Sequence, residues 1–303
     1  MNTKQKIIVI LGQTSTGKSD FVVEVAKKIH GEVISADSRQ VYKGMSLGTG
    51  KITKKEMRGI PHYLLDVTSP SRIFSVSDFQ KRAFKKIDEI IKKSKIPIIC
   101  GGTGFYIDAI ANGTIFPEVP PNTKLRATLE KYTTKKIFEI LKKLDPKRAK
   151  NIDPNNKVRL IRAIEIAKSL GEVPPARSCL AENKFEVLKI GLTLPPEILK
   201  ERIKARLLSR IKKGMIKEVE NLHKNGISWK RMNSLGLEYR YVALYLQEKL
   251  SKEELIAKLN TEIWHFAKRQ KTWFKRDPNI IWIDPRKKNE KLKVVKEIRK
   301  FLK

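Results

Sequence analysis

Eight residues near the start of the chain constrain its fold more than any other feature. Gly12-Gln13-Thr14-Ser15-Thr16-Gly17-Lys18-Ser19 fits the pattern G-x-x-x-x-G-K-[ST] in full. The loop follows the apolar run Lys6–Leu11. It opens a stretch, Asp20–His30, with Phe21, Val25 and Ile29 at helical spacing. Strand, glycine-rich loop and helix in that order make an anion site. The glycines let backbone N–H groups curl round a phosphate, and the helix N-terminus adds its dipole. All eight residues are therefore candidates for holding a diphosphate, with Lys18 as a point charge and the Ser19 hydroxyl as a ligand for Mg2+. Such a loop binds a diphosphate whatever carries it, so it does not by itself specify a nucleotide.

The surrounding pattern is α/β. Glu32–Ala36, Tyr63–Val67 and Ile96–Cys100 are further short apolar runs, and Val76, Phe79, Phe84, Ile87 and Ile91 recur at helical spacing between the last two. Short buried strands alternating with helices predict a parallel sheet flanked by helices. From Phe116 to about Ala181 strand signals stop. Pro117, Pro120 and Pro121 lead into basic amphipathic segments that close at Pro174-Pro175. This predicts an all-helical insertion domain over 116–186, set into a core made of 1–115 and 187–303. In the second part of the core, strand character returns at Val187–Leu194. Two long helices are expected over 196–225 and 251–276, a last strand over 280–284 and a basic helix over 286–303.

Lys plus Arg total 65 against 32 Asp plus Glu, a net charge of +33 over 303 residues. Such a surface attracts polyanions, although general lysine enrichment would give the same total. The charge is uneven: residues 1–50 hold seven basic against four acidic residues, and residues 268–303 hold fourteen against four. The 40% apolar content is enough for a sizeable core and excludes a disordered chain. Cys100 and Cys179 are too few for a disulfide framework or a four-cysteine zinc site. No apolar run reaches bilayer-spanning length. A reduced, cytoplasmic protein without a structural metal is expected, acting as a monomer away from membranes.

Three further places could carry chemistry. Asp37 ends the second strand, at the sheet edge shared with the phosphate loop. It could accept a proton from a nucleophile or simply cap a helix. Asp66, after Tyr63-Leu64-Leu65, could be the acid that nucleotide hydrolases use for their metal, or a turn residue. Gly101-Gly102-Thr103-Gly104 could let a ligand approach the backbone, or could be a plain strand-to-helix turn.

Taken together, these segments resemble the tRNA dimethylallyltransferase family, also called tRNA isopentenyltransferases or IPP transferases. The likeness rests on the loop at 12–19, then ISADSRQVYKGMSLGTGK (34–51), PHYLLDVTSP (61–70), CGGTGFY (100–106), VRLIRAIEI (158–166), LGLEY (235–239) and KRQKTWFKR (268–276). Without the Cys/His zinc finger that eukaryotic members often add, the chain resembles the compact bacterial form. The resemblance implies a P-loop kinase-like core and a helical insertion that grips the tRNA anticodon stem-loop. It implies transfer of a dimethylallyl group from dimethylallyl diphosphate to N6 of the adenosine just 3′ of the anticodon, the adenosine flipped into a channel and the diphosphate entering from its other end.

The resemblance also implies roles for residues. Asp37 takes the amine's proton, the hydroxyl of Thr103 contacts the target nucleotide, and Arg206 meets the diphosphate with Lys18 and Mg2+. After this arginine the family commonly has Val-Asp-x-Met. This chain has Leu207-Leu208-Ser209-Arg210, so Arg202 and Arg210 stand as alternatives to Arg206. Asp37, Ser38, Arg39, Gln40, Thr103, Arg126 and the run Val158, Arg159, Leu160, Ile161, Arg162 match tRNA-contacting positions. Arg159 and Arg162, three apart, would share a helix face. In 268–276 the charges are expected on RNA, and Trp273 and Phe274 in the core. The rival activities are prenyl transfer to free adenine nucleotides, a small-molecule kinase, and an RNA-binding protein with a nucleotide switch.

Overall fold

The computed structural model describes residues 4–174 and 184–303. Pro175 and Cys179 lie outside the described residues. Strand β1 (Gln5–Gly12) runs through the loop into α1 (Lys18–Ile29). It is followed by β2 (Gly31–Ala36), α2 (Lys54–Met57), β3 (His62–Tyr63), α3 (Val76–Lys92), β4 (Ile96–Gly101) and α4 (Gly104–Ala111). Four helices come next: α5 (Thr123–Glu130), α6 (Thr134–Leu144), α7 (Pro146–Ala149) and α8 (Lys157–Leu170). The chain ends with β5 (Phe185–Leu192), α9 (Pro196–Lys212), α10 (Met215–Lys224), α11 (Trp229–Leu235), α12 (Leu237–Leu246), α13 (Lys252–Phe274), β6 (Ile280–Ile283) and α14 (Lys288–Leu302). No helix among the described residues is long and apolar enough to cross a membrane.

The six strands form one parallel sheet in the order β3-β2-β4-β1-β5-β6. Strand β1 is covered on both faces, which is why its sequence is continuously apolar rather than alternating. Ile7, Val9 and Leu11 face a core with Phe79 and Ile87 of α3 and Ile107 and Ile110 of α4. Ile8 and Ile10 face the other way, onto Phe21, Val22 and Val25 of α1 and Val294 and Ile298 of α14. A third core gathers α9 to α13 around the segment after β2, with Val41, Tyr42 and Met45 packed among Ile203, Leu207, Val219 and Tyr239.

The register aligns the chemistry at one edge. Leu11 pairs with Gly101, and Ala36 pairs with the same glycine, so β1, β2 and β4 all end at one level. The phosphate loop, Asp37 and the Gly101–Gly104 turn leave the sheet there, at the carboxyl edge where ligands of parallel sheets bind.

The chain divides into two compact units, Met1–Asn112 with Asn183–Lys303, and Gly113–Glu182. Within the second, Leu129, Ile137, Leu141, Leu160 and Ile164 form a separate core.

Three sequence expectations differ from the structure. The strand at 63–67 shrinks to His62–Tyr63, because Leu64 and Asp66 adopt left-handed backbone (φ 61 and 55) and turn the chain away from the sheet. The helix over 196–225 is two helices, interrupted at Gly214, whose φ of 100 no helix accommodates. Helices α11 and α12 went unforeseen, since their apolar residues follow no long period.

Candidate active site

The loop is shaped by close backbone contact. Gly12 (φ 143) lies against β5, where a Cβ would collide with the carbonyl of Leu192. The Thr16 hydroxyl donates to the Gln13 carbonyl at 2.8 Å, and the Gln13 amide donates to the Ala267 carbonyl at 3.2 Å. Both side chains are buried, so these two residues can offer an anion only their backbone. The N–H of Thr14 donates to Gln270 Oε1 at 2.8 Å, and Gln270 Nε2 donates to the Gly102 carbonyl at 2.9 Å. One buried glutamine on α13 thus ties the phosphate loop to the turn after β4.

The turn at Gly101–Gly104 lines the cavity described below and also packs against the protein's own groups. A Cβ on Gly101 would collide with the Ala36 backbone, one on Gly102 with the Gln270 side chain, and one on Gly104 with the Trp273 ring. The glycines make room for the protein's own groups. Phe274 is in the core as expected, but Trp273 is only half-buried. Its Nε1 donates to Asp108 Oδ2 at 2.8 Å, and its ring meets Phe105 edge-on at 6.4 Å, with the Arg276 guanidinium 4.7 Å above it. Trp273 and Phe105 border the cavity described next.

A cavity of about 510 Å³ opens at the carboxyl edge of the sheet and is lined by Lys18, Ser19, Asp37, Thr103, Arg206 and Arg210, among others. Lys18 Nζ donates to the Gln13 carbonyl at 2.6 Å. Loss of water around the ammonium pulls its pKa down to about 8; Arg206 pushes the same way, and Cys100 and Asp37 oppose. Burial in turn pushes the Cys100 thiol up to about 12, which removes it as a nucleophile.

Asp37 is fixed by its own turn. Its Oδ1 accepts the N–H groups of Arg39 at 2.8 Å and Gln40 at 3.2 Å, which leaves Oδ2 for a proton. No helix starts there, so the capping alternative falls away. Thr103 Oγ1 accepts the Ser38 N–H at 3.0 Å and so anchors this turn to β4. Gln40 Oε1 accepts from Ser35 at 3.1 Å, so its amide is partly engaged within the protein.

Of the three arginines on α9, Arg206 and Arg210 line the cavity, while Arg202 reaches the phosphate loop, where a Cβ on Gly17 would lie 3.8 Å from its Nη1. The Arg206 side chain is open to the cavity, yet protein crowds its guanidinium. That desolvation, followed by the neighbouring charge of Arg210, lowers its pKa to about 10. Asp66 lies outside the cavity lining, ion-paired to Lys51 at 2.5 Å. Its left-handed backbone, φ 55, makes it a turn residue.

No group of three or more His, Cys, Asp or Glu side chains among the described residues could hold a metal ion. The donor set fits a cation bound mainly through its substrate. The exposed Ser19 hydroxyl at the head of α1 would be the protein's ligand to Mg2+.

In the helical unit the expected tRNA residues divide. Val158 and Arg159 are exposed at the start of α8. Leu160 and Ile161 turn into that unit's core, at 0% and 7% exposure, so their side chains offer nothing to RNA. Arg126 grips Glu165 with two hydrogen bonds, at 2.6 and 2.8 Å. Arg162 adds a third at 3.1 Å and also donates to the Val119 carbonyl at 2.9 Å. Burial pushes the Glu165 carboxyl up, but Arg126, the Asn122 N–H and Arg162 outweigh it and hold it below the usual range. Arg126 and Arg162 therefore hold the unit together through Glu165, while the Arg159 side chain stands more open to solvent.

A family model described as IPP transferase matches residues 40–277. The chain belongs to the IPP transferase family. It is 46% identical to tRNA dimethylallyltransferase 2 of Treponema denticola over 279 residues, 91% of this chain and 93% of that one. It is 37% identical to tRNA dimethylallyltransferase of Bacillus cereus over 288 residues, 93% and 90% of the two chains. The crystal structure of the tRNA isopentenylpyrophosphate transferase of Bacillus halodurans superposes with a TM-score of 0.75 at 35% identity, covering 99% of this chain and 97% of that one. A eukaryotic dimethylallyltransferase acting on tRNA gives 0.75 at 28% identity, covering 89% and 70%. In this IPP transferase the family match begins at Gln40, just after Asp37 and one helix and one strand beyond the phosphate loop. Gln270, Arg210 and Glu238 are cavity residues that sequence reasoning did not assign or left undecided. An uncharged Gln270 inside the basic run 268–276 was the available signal.

Proposed function

We infer that the chain is a tRNA dimethylallyltransferase. It transfers a dimethylallyl group from dimethylallyl diphosphate to N6 of adenosine-37, next to the tRNA anticodon, forming N6-(dimethylallyl)adenosine and releasing diphosphate. The observation that carries this reading is the shared cavity: Lys18, Arg206 and Asp37 all open into it from three different elements. Two cations suit a diphosphate, and a carboxylate beside them suits an amine that must lose a proton.

An exocyclic adenine amine is a poor nucleophile, because its lone pair is delocalised into the ring. As the new C–N bond forms at the allylic carbon, the C–O bond to the diphosphate breaks and the amine becomes acidic. Asp37 Oδ2 accepts that proton. Charge grows on the departing diphosphate, where loop N–H groups, Lys18 and Arg206 are aimed. Bound Mg2+, held by Ser19, would supply further charge neutralisation at the same oxygens. Thr103 holds the Asp37–Ser38 turn that presents the base. In the helical unit, Arg159 and its exposed neighbours contact the anticodon stem-loop.

The test uses labelled dimethylallyl diphosphate with unmodified tRNA, AMP and ADP in separate reactions. Label is expected in tRNA alone. Label in AMP or ADP and none in tRNA would replace this reading with nucleotide prenylation.

A further inference from the structure

The cavity contains a charge pair that the reaction above does not use. Arg210 sits one helical turn after Arg206 on α9. Arg210 Nη1 lies 3.4 Å from Glu238 Oε1, and the two side chains are only 16% and 19% exposed. Both line the cavity. Burial pushes the Glu238 carboxyl up and Arg210 pulls it back, while Asp37 pushes the same way as burial.

The two guanidinium groups converge. A Cβ on Gly50 would lie 3.3 Å from an Arg206 nitrogen and would collide with the Arg210 guanidinium. Like charges this close in a partly dehydrated space repel one another, and Arg206 already feels Arg210 in its lowered pKa. Two arginines and a lysine facing one cavity match an anion carrying several charges. Glu238 supplies a counter-charge to only one of them.

We propose that Arg210 is a second positioning residue for the diphosphate, held ready by Glu238, which competes with that anion for it. The inference rests on reading the loop at 12–19 as the diphosphate site. Before the substrate arrives, the Glu238 carboxylate neutralises Arg210 and keeps it from being repelled by Arg206. When the diphosphate binds, Arg210 shifts part of its hydrogen bonding from Glu238 to the phosphate oxygens.

Titration calorimetry with inorganic pyrophosphate and Mg2+ tests this on four proteins: wild type, Arg210→Met, Glu238→Gln and the double variant. Arg210→Met leaves Glu238 facing the anion, so pyrophosphate affinity should fall about tenfold or more. KM for dimethylallyl diphosphate should rise alongside, with KM for tRNA unchanged. Glu238→Gln should tighten pyrophosphate binding, and the double variant should recover much of what Arg210→Met loses. A merely structural pair would lower the thermal midpoint in both single variants and leave pyrophosphate affinity within about twofold of wild type; that result overturns the inference. Failure of wild type itself to bind pyrophosphate would instead overturn the loop reading on which it rests.

Discussion

Glu218 on α10 and Tyr239 on α12 meet through a 2.7 Å hydrogen bond, hydroxyl to carboxylate, against the segment that follows β2. The same carboxylate accepts the backbone N–H groups of Ser46, Leu47 and Gly48 at 2.9, 2.7 and 3.0 Å. Four donors converge on one side chain, and Gly48 itself, with Thr49 and Gly50 just beyond it, lines the cavity. Glu218→Gln replaces one acceptor oxygen with a donor that faces backbone N–H groups. Each donor left unsatisfied costs about 1–3 kcal/mol, so denaturant unfolding should show a loss in that range or above it. Tyr239→Phe removes a single bond, and its loss should be nearer 1 kcal/mol. Equal stability of wild type and Glu218→Gln would mean that the segment is held by its apolar packing alone.

Asp37→Asn is the variant that separates the base from its scaffold. Asparagine keeps an oxygen for the N–H groups of Arg39 and Gln40, now held at 2.8 and 3.2 Å, but it cannot take up a proton. Single-turnover transfer should fall by about 10²–10⁴-fold while tRNA affinity holds. A rate near that of wild type would assign the proton to another group.

Lys18 gives the free protein a pH signature. With its pKa lowered to about 8, the ammonium is present below pH 8 and lost as pH rises above it. A bound diphosphate favours the charged form, so binding above pH 8 must take up a proton. Once the ionisation of pyrophosphate itself is subtracted, its affinity should therefore be flat below pH 8 and fall by up to about tenfold per pH unit above it. Calorimetry in buffers of different ionisation enthalpy would count the proton directly. A flat profile to pH 9.5 would place the Lys18 pKa near its ordinary lysine value.

The parts of this fold legible in the sequence are those that local pattern controls. Continuous apolar strands bounded by glycine and the periodic face of α3 need only nearest neighbours in the chain to be read. Residues 12–19 are a local motif for the same reason. What stayed hidden depends on partners far apart in sequence. Gln270 matters because it meets Thr14 and Gly102, separated from it by 256 and 168 positions. Glu218 matters because of a segment 170 or more positions earlier. The resemblance places Arg162 among the tRNA-contacting residues, and its spacing from Arg159 puts both toward one helix face. Spacing does not reveal that Glu165, three residues on, is buried and needs cations of its own.

That difference between Arg159 and Arg162 can be measured. Arg159 is exposed, so its removal should leave the unfolding transition unchanged. If it meets a phosphate, the slope of log affinity for tRNA against log salt should flatten by about one unit in Arg159→Ala. Arg162 donates to Glu165 and to the Val119 carbonyl, and Arg126 remains to hold Glu165 in its absence. Arg162→Ala should therefore cost about 1–3 kcal/mol of stability and leave the salt slope unchanged. Unfolding curves and salt titrations on the same two variants give opposite outcomes for the two residues. A slope that flattens equally in both would return Arg162 to the RNA surface.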